Sequence, residues 1–281
     1  MSSILTNNGA IVALQTLKSI NSNLNKTQEE VSTGKAVNSA KDNAAVWAIS
    51  KTMESDQTAF KTIQSNLNVA KATVSTAVAG GEQVTKLLND MRNLALSATI
   101  DGADHTKIQT DITAKQNQIT AVISGTQMNG VNLLSNNGVD GGATFTVMGS
   151  LDRAVGGATT TQNTIVVDSV DFETDIAGAW PTAVSDNASA LAAVTAIEDL
   201  IDLSIVGTAS LGSAAKRISE QSEFVGKLSD SLQAGIGSLV DADMEEASAR
   251  LQALQTQQQL GIQALSIANQ SPSSILSLFR G

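Results

Sequence analysis

The chain has 281 residues, 42% of them hydrophobic but only 2% aromatic, with no tyrosine, no cysteine and a formal net charge of −10. That charge argues against nucleic acid and anionic membrane surfaces, which want clustered lysine and arginine. The missing cysteines exclude disulfides and thiol chemistry. A length of this order holds one or two domains, and a core of Ala, Leu, Ile and Val without large rings suits long helices packed side by side. Only Pro181 and Pro272 interrupt such helices.

The first segment, "MSSILTNNGAIVALQTLKSIN", lacks a basic leading region, and Asn7, Asn8 and Gly9 break its apolar run. It is not read as a standard secretory signal, and no stretch approaches the ~18 apolar residues of a membrane span. Ile11, Leu14, Leu17, Ile20, Leu24 and Val31 recur at helical spacing. Six large side chains are few for a helix of this length, and isolated helices are marginal in water. Pairing with the other terminus would still leave half of each helix surface unburied. The two ends are therefore expected to be loose in the monomer and to fold against further copies of the chain, as in a polymerising subunit.

"STGKAVNSAKDNAA", Ser32 to Ala45, offers a Gly-Lys pair flanked by hydroxyls. A phosphate loop needs Ser or Thr after the lysine and a second glycine five residues before the first. Ala36 and Glu29 stand there instead, and no strand-like run precedes them. The stretch reads as punctuation. Gly34 ends one helix in the left-handed conformation, and Ser39 with Asp42 forms a capping-box-like start for the next.

The strongest pattern follows. Phe60, Ile63, Leu67, Ala70, Val74, Ala77, Gly81, Val84, Leu88, Met91, Ala95 and Ala98 alternate in steps of three and four, a heptad seam. From Asn43 to about Thr99 the helix would run roughly 85 Å at ~1.5 Å per residue. A second helix is expected over Asp104–Ser124, with Ile108, Ile112, Ile119 and Val122 on one face, before the Asn- and Gly-rich "TQMNGVNLLSNNGVDGG". Between Gly141 and Asp186, "ATFTVM" and "TIVVDSVDF" read as strands of a small insert.

Helical spacing resumes near Asn187. Val194, Ile197, Ile201, Ser204, Thr208, Leu211, Ala215, Ile218, Ser222, Val225, Ser229, Leu232, Ile236 and Leu239 form a less apolar seam that Gly207 and Gly212 loosen. Gly235 and Gly237 mark a joint. The final seam is Val240, Met244, Ala247, Leu251, Leu254, Gln258, Gly261, Leu265 and Ala268. The chain closes on the apolar "SPSSILSLFRG", with Ile275, Leu278 and Phe279, which a soluble monomer should not leave exposed. Glycine, serine and threonine in the seams suggest close backbone approach and interfaces that slide between packings. The fold class is mainly α: a long antiparallel coiled-coil hairpin or bundle with a small β-containing tip and terminal helices that pair.

No enzyme site is apparent. The single histidine, His105, is read as a solvent-facing residue in the turn before a helix, and no His or Cys cluster has metal-ligand spacing. "DADMEE", Asp241 to Glu246, lacks the glycine-centred calcium-loop spacing and reads as a solvated helix start. No cofactor is expected.

Four stretches together carry a family resemblance: "ILTNNGAIVALQTL", "STGKAVNSAKDNAA", "NGVNLLS" at Asn129–Ser135, and the tail "LQALQTQQQLGIQALSIANQSPSSILSLF". Over about 1–135 and 187–281 the chain resembles the bacterial flagellins, in particular the short ones of alphaproteobacteria. The resemblance implies an extracellular filament subunit exported unfolded through the flagellar type III apparatus. It implies as partners other copies of the chain, an export chaperone, the filament cap and hook-associated junction proteins. Residues 1–38 would be an inner-tube helix and spoke, 39–140 an outer-tube arm, 141–186 the tip, 187–236 the returning outer helix and 237–281 the second inner helix. Ile11, Leu14, Leu17, Ile20, Leu24, Leu251, Leu254, Leu265, Ile275, Leu278 and Phe279 would serve assembly. Gly34, Ser39 and Asp42 would form the spoke, and Phe60, Ile63, Leu67, Val74, Val84, Leu88 and Met91 the outer-tube seam. In place of large outer domains, 141–186 would give a minimal tip and a thin, smooth filament wall.

Two receptor segments depart from the family pattern. "LNDMRNLAL" keeps Met91, Arg92 and Leu94 but has Asp90 and Asn93 where Arg and Glu are common, so an animal innate receptor should bind weakly. Gln28–Ile49 resembles the segment seen by a plant receptor, with Val46 and Trp47 in place of a small-residue pair. Thr159–Thr161 are candidate sugar acceptors. A hook-associated junction protein is the nearer alternative; a chemoreceptor-like signalling hairpin lacks its membrane span.

Overall fold

The computed structural model describes residues 7–136, 139, 142–153 and 160–278. Its elements are α1 (Asn8–Thr33), α2 (Ala44–Ser97), α3 (His105–Gly125), β1 (Thr144–Arg153), β2 (Thr160–Asp168), α4 (Phe172–Asp175), α5 (Asn187–Val240) and α6 (Met244–Leu278). The mainly α class with a small two-stranded sheet is as the sequence predicts. The chain divides into two compact units, one drawn from Met1–Gln57 with Ser231–Gly281 and the other Thr58–Asp230.

Within Thr58–Asp230, every position of the first seam is buried: Leu67, Val74, Val84, Leu88 and Met91 are fully enclosed, as are Ala95 and Ala98. A 3-4 spacing keeps one stripe of a helix facing its neighbour over many turns, and that stripe meets α5. Asn68 Oδ1 accepts from Ser222 Oγ (3.0 Å), Lys71 Nζ donates to Ser219 Oγ (2.9 Å), and Thr85 and Ser204 share a hydroxyl contact at 2.8 Å. One partner number climbs as the other falls, so the two helices run antiparallel. Gly81 lies directly beneath Thr208, where a β-carbon would collide with the hydroxyl.

Helix α3 starts at Asp104, whose side chain accepts from the Lys107 N–H (3.1 Å), meeting one of the unpaired donors of a helix start. Ile112, Ile119 and Ile123 are its buried residues. The predicted inward Val122 is half-buried and Ile123 takes the core, because a 3.6-residue turn drifts away from a fixed 3-4 count along a helix. His105 is not solvent-facing: its Nε2 sits 3.0 Å from Ala98 O and 3.1 Å from Asn187 Oδ1, tying the start of α3 to the end of α2 and the start of α5.

Asn129 (φ 53°) and Gly130 (φ 81°) make a tight turn closed by reciprocal bonds between Met128 and Val131, the Asn-Gly pair that such turns require. Leu133 and Leu134 then bury completely, and their carbonyls accept from Val170 and Phe172. Strands β1 and β2 pair antiparallel with a bulge at Gly149, whose carbonyl accepts from Gln221 Nε2 (2.8 Å). The hairpin thereby lies along α5.

Gly207 does not loosen α5. A β-carbon there would stand 2.6 Å from Val170 Cγ1 and 2.7 Å from Phe172 Cε1, so its absence admits the fully buried Phe172. Nor do Gly235 and Gly237 mark the joint: α5 continues to Val240, and α6 begins after Asp243, whose side chain accepts from the N–H groups of Glu245 (3.0 Å) and Glu246 (3.2 Å).

The start of α5 is a reciprocal cap. Asp186 Oδ1 accepts from the Ser189 N–H (2.7 Å) and hydroxyl (2.8 Å), while Ser189 Oγ accepts from the Asp186 N–H (2.9 Å). The two Ser189 donors hold the Asp186 carboxyl below its ordinary 3.8. A depressed carboxylate contributes stability that is present above its unfolded pKa and is lost as pH falls through the folded one. Acid titration followed by circular dichroism should therefore show stability falling below about pH 3.8. An Asp186→Asn variant should show a shallower fall; an identical slope would mean that the cap does not titrate with unfolding.

Candidate assembly surfaces

Described by itself, the unit of Met1–Gln57 and Ser231–Gly281 is built on the two terminal helices. Helices α1 and α6 pair lengthwise. Asn7 Nδ2 donates to Ala268 O (2.7 Å) and Gln258 Nε2 to Asn21 Oδ1 (2.7 Å), which fixes them antiparallel. Leu24, Thr27, Ala247 and Leu254 are buried between them. At Gly261 a β-carbon would stand 3.1 Å from Leu17, so the helices approach closely there.

The pairing of the terminal helices covers only a stripe of each helix. Leu17, Ile20, Leu251 and Leu265 are half-buried, and Ile11 and Leu14 lie open to solvent. So do Val12, Leu260, Ile262 and, at 71%, Ile267. Large apolar side chains left exposed around a helix pair mark surfaces open to further contact. Helix α6 carries Ile275 and Leu278 in its last turns; Phe279 lies outside the described residues.

The connector between α1 and α2 has the helix-end geometry expected at Gly34, which is left-handed (φ 71°) with its N–H on Glu30 O (2.9 Å). The next step differs. Asp42 does not cap α2: its Oδ2 turns back to accept from the N–H groups of Asn38 (3.2 Å) and Ser39 (2.9 Å) and from Ser39 Oγ (3.0 Å). These Ser39 and Asn38 donors hold the Asp42 carboxyl below its usual range. Asn43 caps α2, accepting from the Val46 N–H (3.2 Å). Asn and Asp are near-equal caps, and the one adjacent to the helix wins. Across from this turn, Val240 O accepts from the N–H groups of Ala36 (2.7 Å) and Val37 (3.3 Å), and Ala242 N–H donates to Gly34 O (2.9 Å), so three backbone bonds clasp the outgoing and returning strands of the connector.

In the other unit, Phe60, Ile63, Leu67, Val74, Val84, Leu88 and Met91 all face inward. Their role there is packing. The receptor-like segment sits beside them: Asp90 is ion-paired with Lys115 (2.9 Å), Asn93 is exposed, Arg92 and Leu94 are half-buried, and Arg92 Nε is enclosed with no hydrogen-bond partner. Thr159 lies outside the described residues, as do the side chains of Thr160 and Thr161. Among the described residues there is no cluster that could hold a metal and no helix long and apolar enough to cross a membrane.

The sequence that builds the paired terminal helices and the antiparallel arm matches known proteins over its full length. Residues 4–139 match the bacterial flagellin N-terminal helical region, and residues 194–279 the bacterial flagellin C-terminal helical region. Among curated relatives, Flagellin FljM of Caulobacter vibrioides is 40% identical, covering 100% of this chain and 99% of the relative. A flagellin of Brucella melitensis is 39% identical with 100% of both covered. Among solved structures, one described as a flagellar hook-associated protein of Vibrio parahaemolyticus covers 71% of this chain and 100% of its own at a TM-score of 0.54, with 16% identity, a likeness of fold alone. With matches at both ends and full-length relatives near 40% identity, the chain belongs to the bacterial flagellin family.

Proposed function

We propose that this flagellin polymerises head to tail into an extracellular flagellar filament, with α1 and α6 on the inside and the Thr58–Asp230 arm around them. Flagellins are structural filament subunits, and the observation that supports the placement is the set of large apolar side chains left exposed on the paired terminal helices. Covering Ile11, Leu14, Ile262 and Ile267 with another surface lowers the free energy in proportion to the apolar area removed from water, and a repeated contact between unlike patches of successive copies grows a filament. Ile275, Leu278 and Phe279 extend the same end of the chain. Gly34, Ser39 and Asp42 serve as the connector between inner and outer layers. The subunit works without catalysis; export through the type III apparatus, a chaperone, the filament cap and junction proteins complete the reading, with the terminal face becoming fully buried only on assembly.

Negative-stain microscopy of purified protein seeded with short filament fragments tests it, beside a chain lacking the last 20 residues. Long filaments from the full chain and none from the truncation are the expected result. Short rings from the full chain would favour the junction-protein reading.

Weak binding to the animal innate receptor also follows. Asp90 presents an anion, already engaged by Lys115, where a cation is usual, and like charges across an interface repel. Binding at least tenfold weaker than that of a strongly recognised flagellin is expected. Exchanging Asp90→Arg and Asn93→Glu should recover part of it; equal binding by the natural chain would end the proposal.

A further inference from the structure

Among the described residues, one glycine deep in a helix interior has no use inside the molecule. Gly80 lies against Thr126 and Leu134, Gly81 beneath Thr208, Gly207 beneath Phe172, Gly226 against Gln64 and Gly261 beneath Leu17. Gly34, Gly102 and Gly130 have positive φ. Gly212 has neither reason: a β-carbon there meets nothing within 4 Å, and it sits in the middle of α5. Glycine in a helix interior is disfavoured by about 1 kcal/mol against alanine, so the chain bears a cost that its own packing does not offset.

Gly212 lines a groove of about 470 Å³ between α2 and α5. Its walls are Val78, Thr85, Ile205, Thr208 and Ala209, and Glu82 is its one charged residue. Ile205 is 49% exposed, and its neighbour Val206 is 70% exposed. Thr208 turns its hydroxyl inward over Gly81, where it is enclosed, and leaves the rest of its side chain to the groove wall. An open, mainly apolar groove with a missing β-carbon is shaped for close approach by something outside the chain.

We propose that this groove receives a second copy of the chain in the filament, an inference that rests on the filament-subunit reading above. The charge pattern favours that occupant. Each copy carries a net charge of −10, so two copies can touch closely only where few anions oppose one another. A groove with a single carboxylate provides such a place. The contact is heterologous: a different surface of the neighbour fills the groove, as an open helical assembly requires.

The absence of cysteine makes the test direct. A Gly212→Cys chain carries one thiol, which is labelled with a benzophenone maleimide and mixed at one part in ten with the natural chain on filament seeds. A Lys107→Cys chain, labelled at an exposed position on α3, serves as control. Two results support the contact: incorporation followed by a light-dependent two-chain adduct in filaments but not monomers, or exclusion from filaments that incorporate the control at least tenfold better. Incorporation at the control's level with no adduct overturns it. If the natural chain itself does not polymerise, the filament reading fails instead, and the two failures are told apart. Circular dichroism of the unlabelled Gly212→Cys monomer should match the natural chain, since the added side chain enters open space; a loss of helix would overturn the premise that the position is free within the monomer.

Discussion

Replacing Phe172 with alanine should cost the Thr58–Asp230 unit about 3–5 kcal/mol, the usual range for emptying a buried phenylalanine site. The ring is fully enclosed, its N–H bonds to Leu134 O (3.1 Å), and the neighbouring Gly207 is shaped around it. A short helix held by Asp171 presents it, so backbone relaxation is limited and a cavity should persist. In a unit of this size a loss of that order lowers Tm by roughly 6–20 °C. The contrast is Phe224→Ala on α5, where the ring is 56% exposed and a shift within about 2 °C is expected. Thermal unfolding of both variants by circular dichroism decides it. A Phe172 variant as stable as the Phe224 one would mean that the stretch between hairpin and α5 is not anchored by this ring.

The second large effect separates folding from assembly. Ile267→Asp alters a residue that is 71% exposed in the chain alone, so the monomer's helix content and Tm should scarcely move. In a filament that covers this face, the same carboxylate is buried without a partner, at a cost of several kcal/mol. Since ~1.4 kcal/mol is a factor of ten in an equilibrium, the concentration needed for seeded growth should rise at least a hundredfold. Ile11→Asp, also on the open face, should behave alike. Sedimentation of seeded reactions over a concentration series measures this directly. Growth at the natural threshold would place the terminal face in water within the filament and remove the main support for an inner position.

Where the sequence repeats large apolar residues every three or four positions, the fold is legible without coordinates. From Phe60 to Ala98 every seam position is buried, and Ile197, Leu211, Ile218 and Val225 on the returning arm are as well. Legibility fails where period gives way to single residues. The Ser39–Asp42 turn and the true cap at Asn43 use the same residue types, and only geometry separates them. Phe172 lies in too short an apolar stretch to show a period, and Asp171, which caps its helix through the Thr174 N–H, is one of many aspartates in the chain. Gly207 and Gly212 look alike in the sequence as helix breakers. One makes room for a ring from the same chain and the other faces open space. The assembly face was legible only as a surplus of apolar residues, because a single chain does not contain the surface that covers it.

The polar pairs Asn68 with Ser222, Lys71 with Ser219 and Thr85 with Ser204 hold the arm to one alignment over many turns. They act as a ruler with marks on both edges. Insertion of a heptad into α2 alone would carry every mark beyond it past its counterpart, while a matched insertion in α5 would restore them all. The arm can therefore change length only by paired edits on opposite sides of the hairpin, so variation in size is channelled to the hairpin insert between the helices.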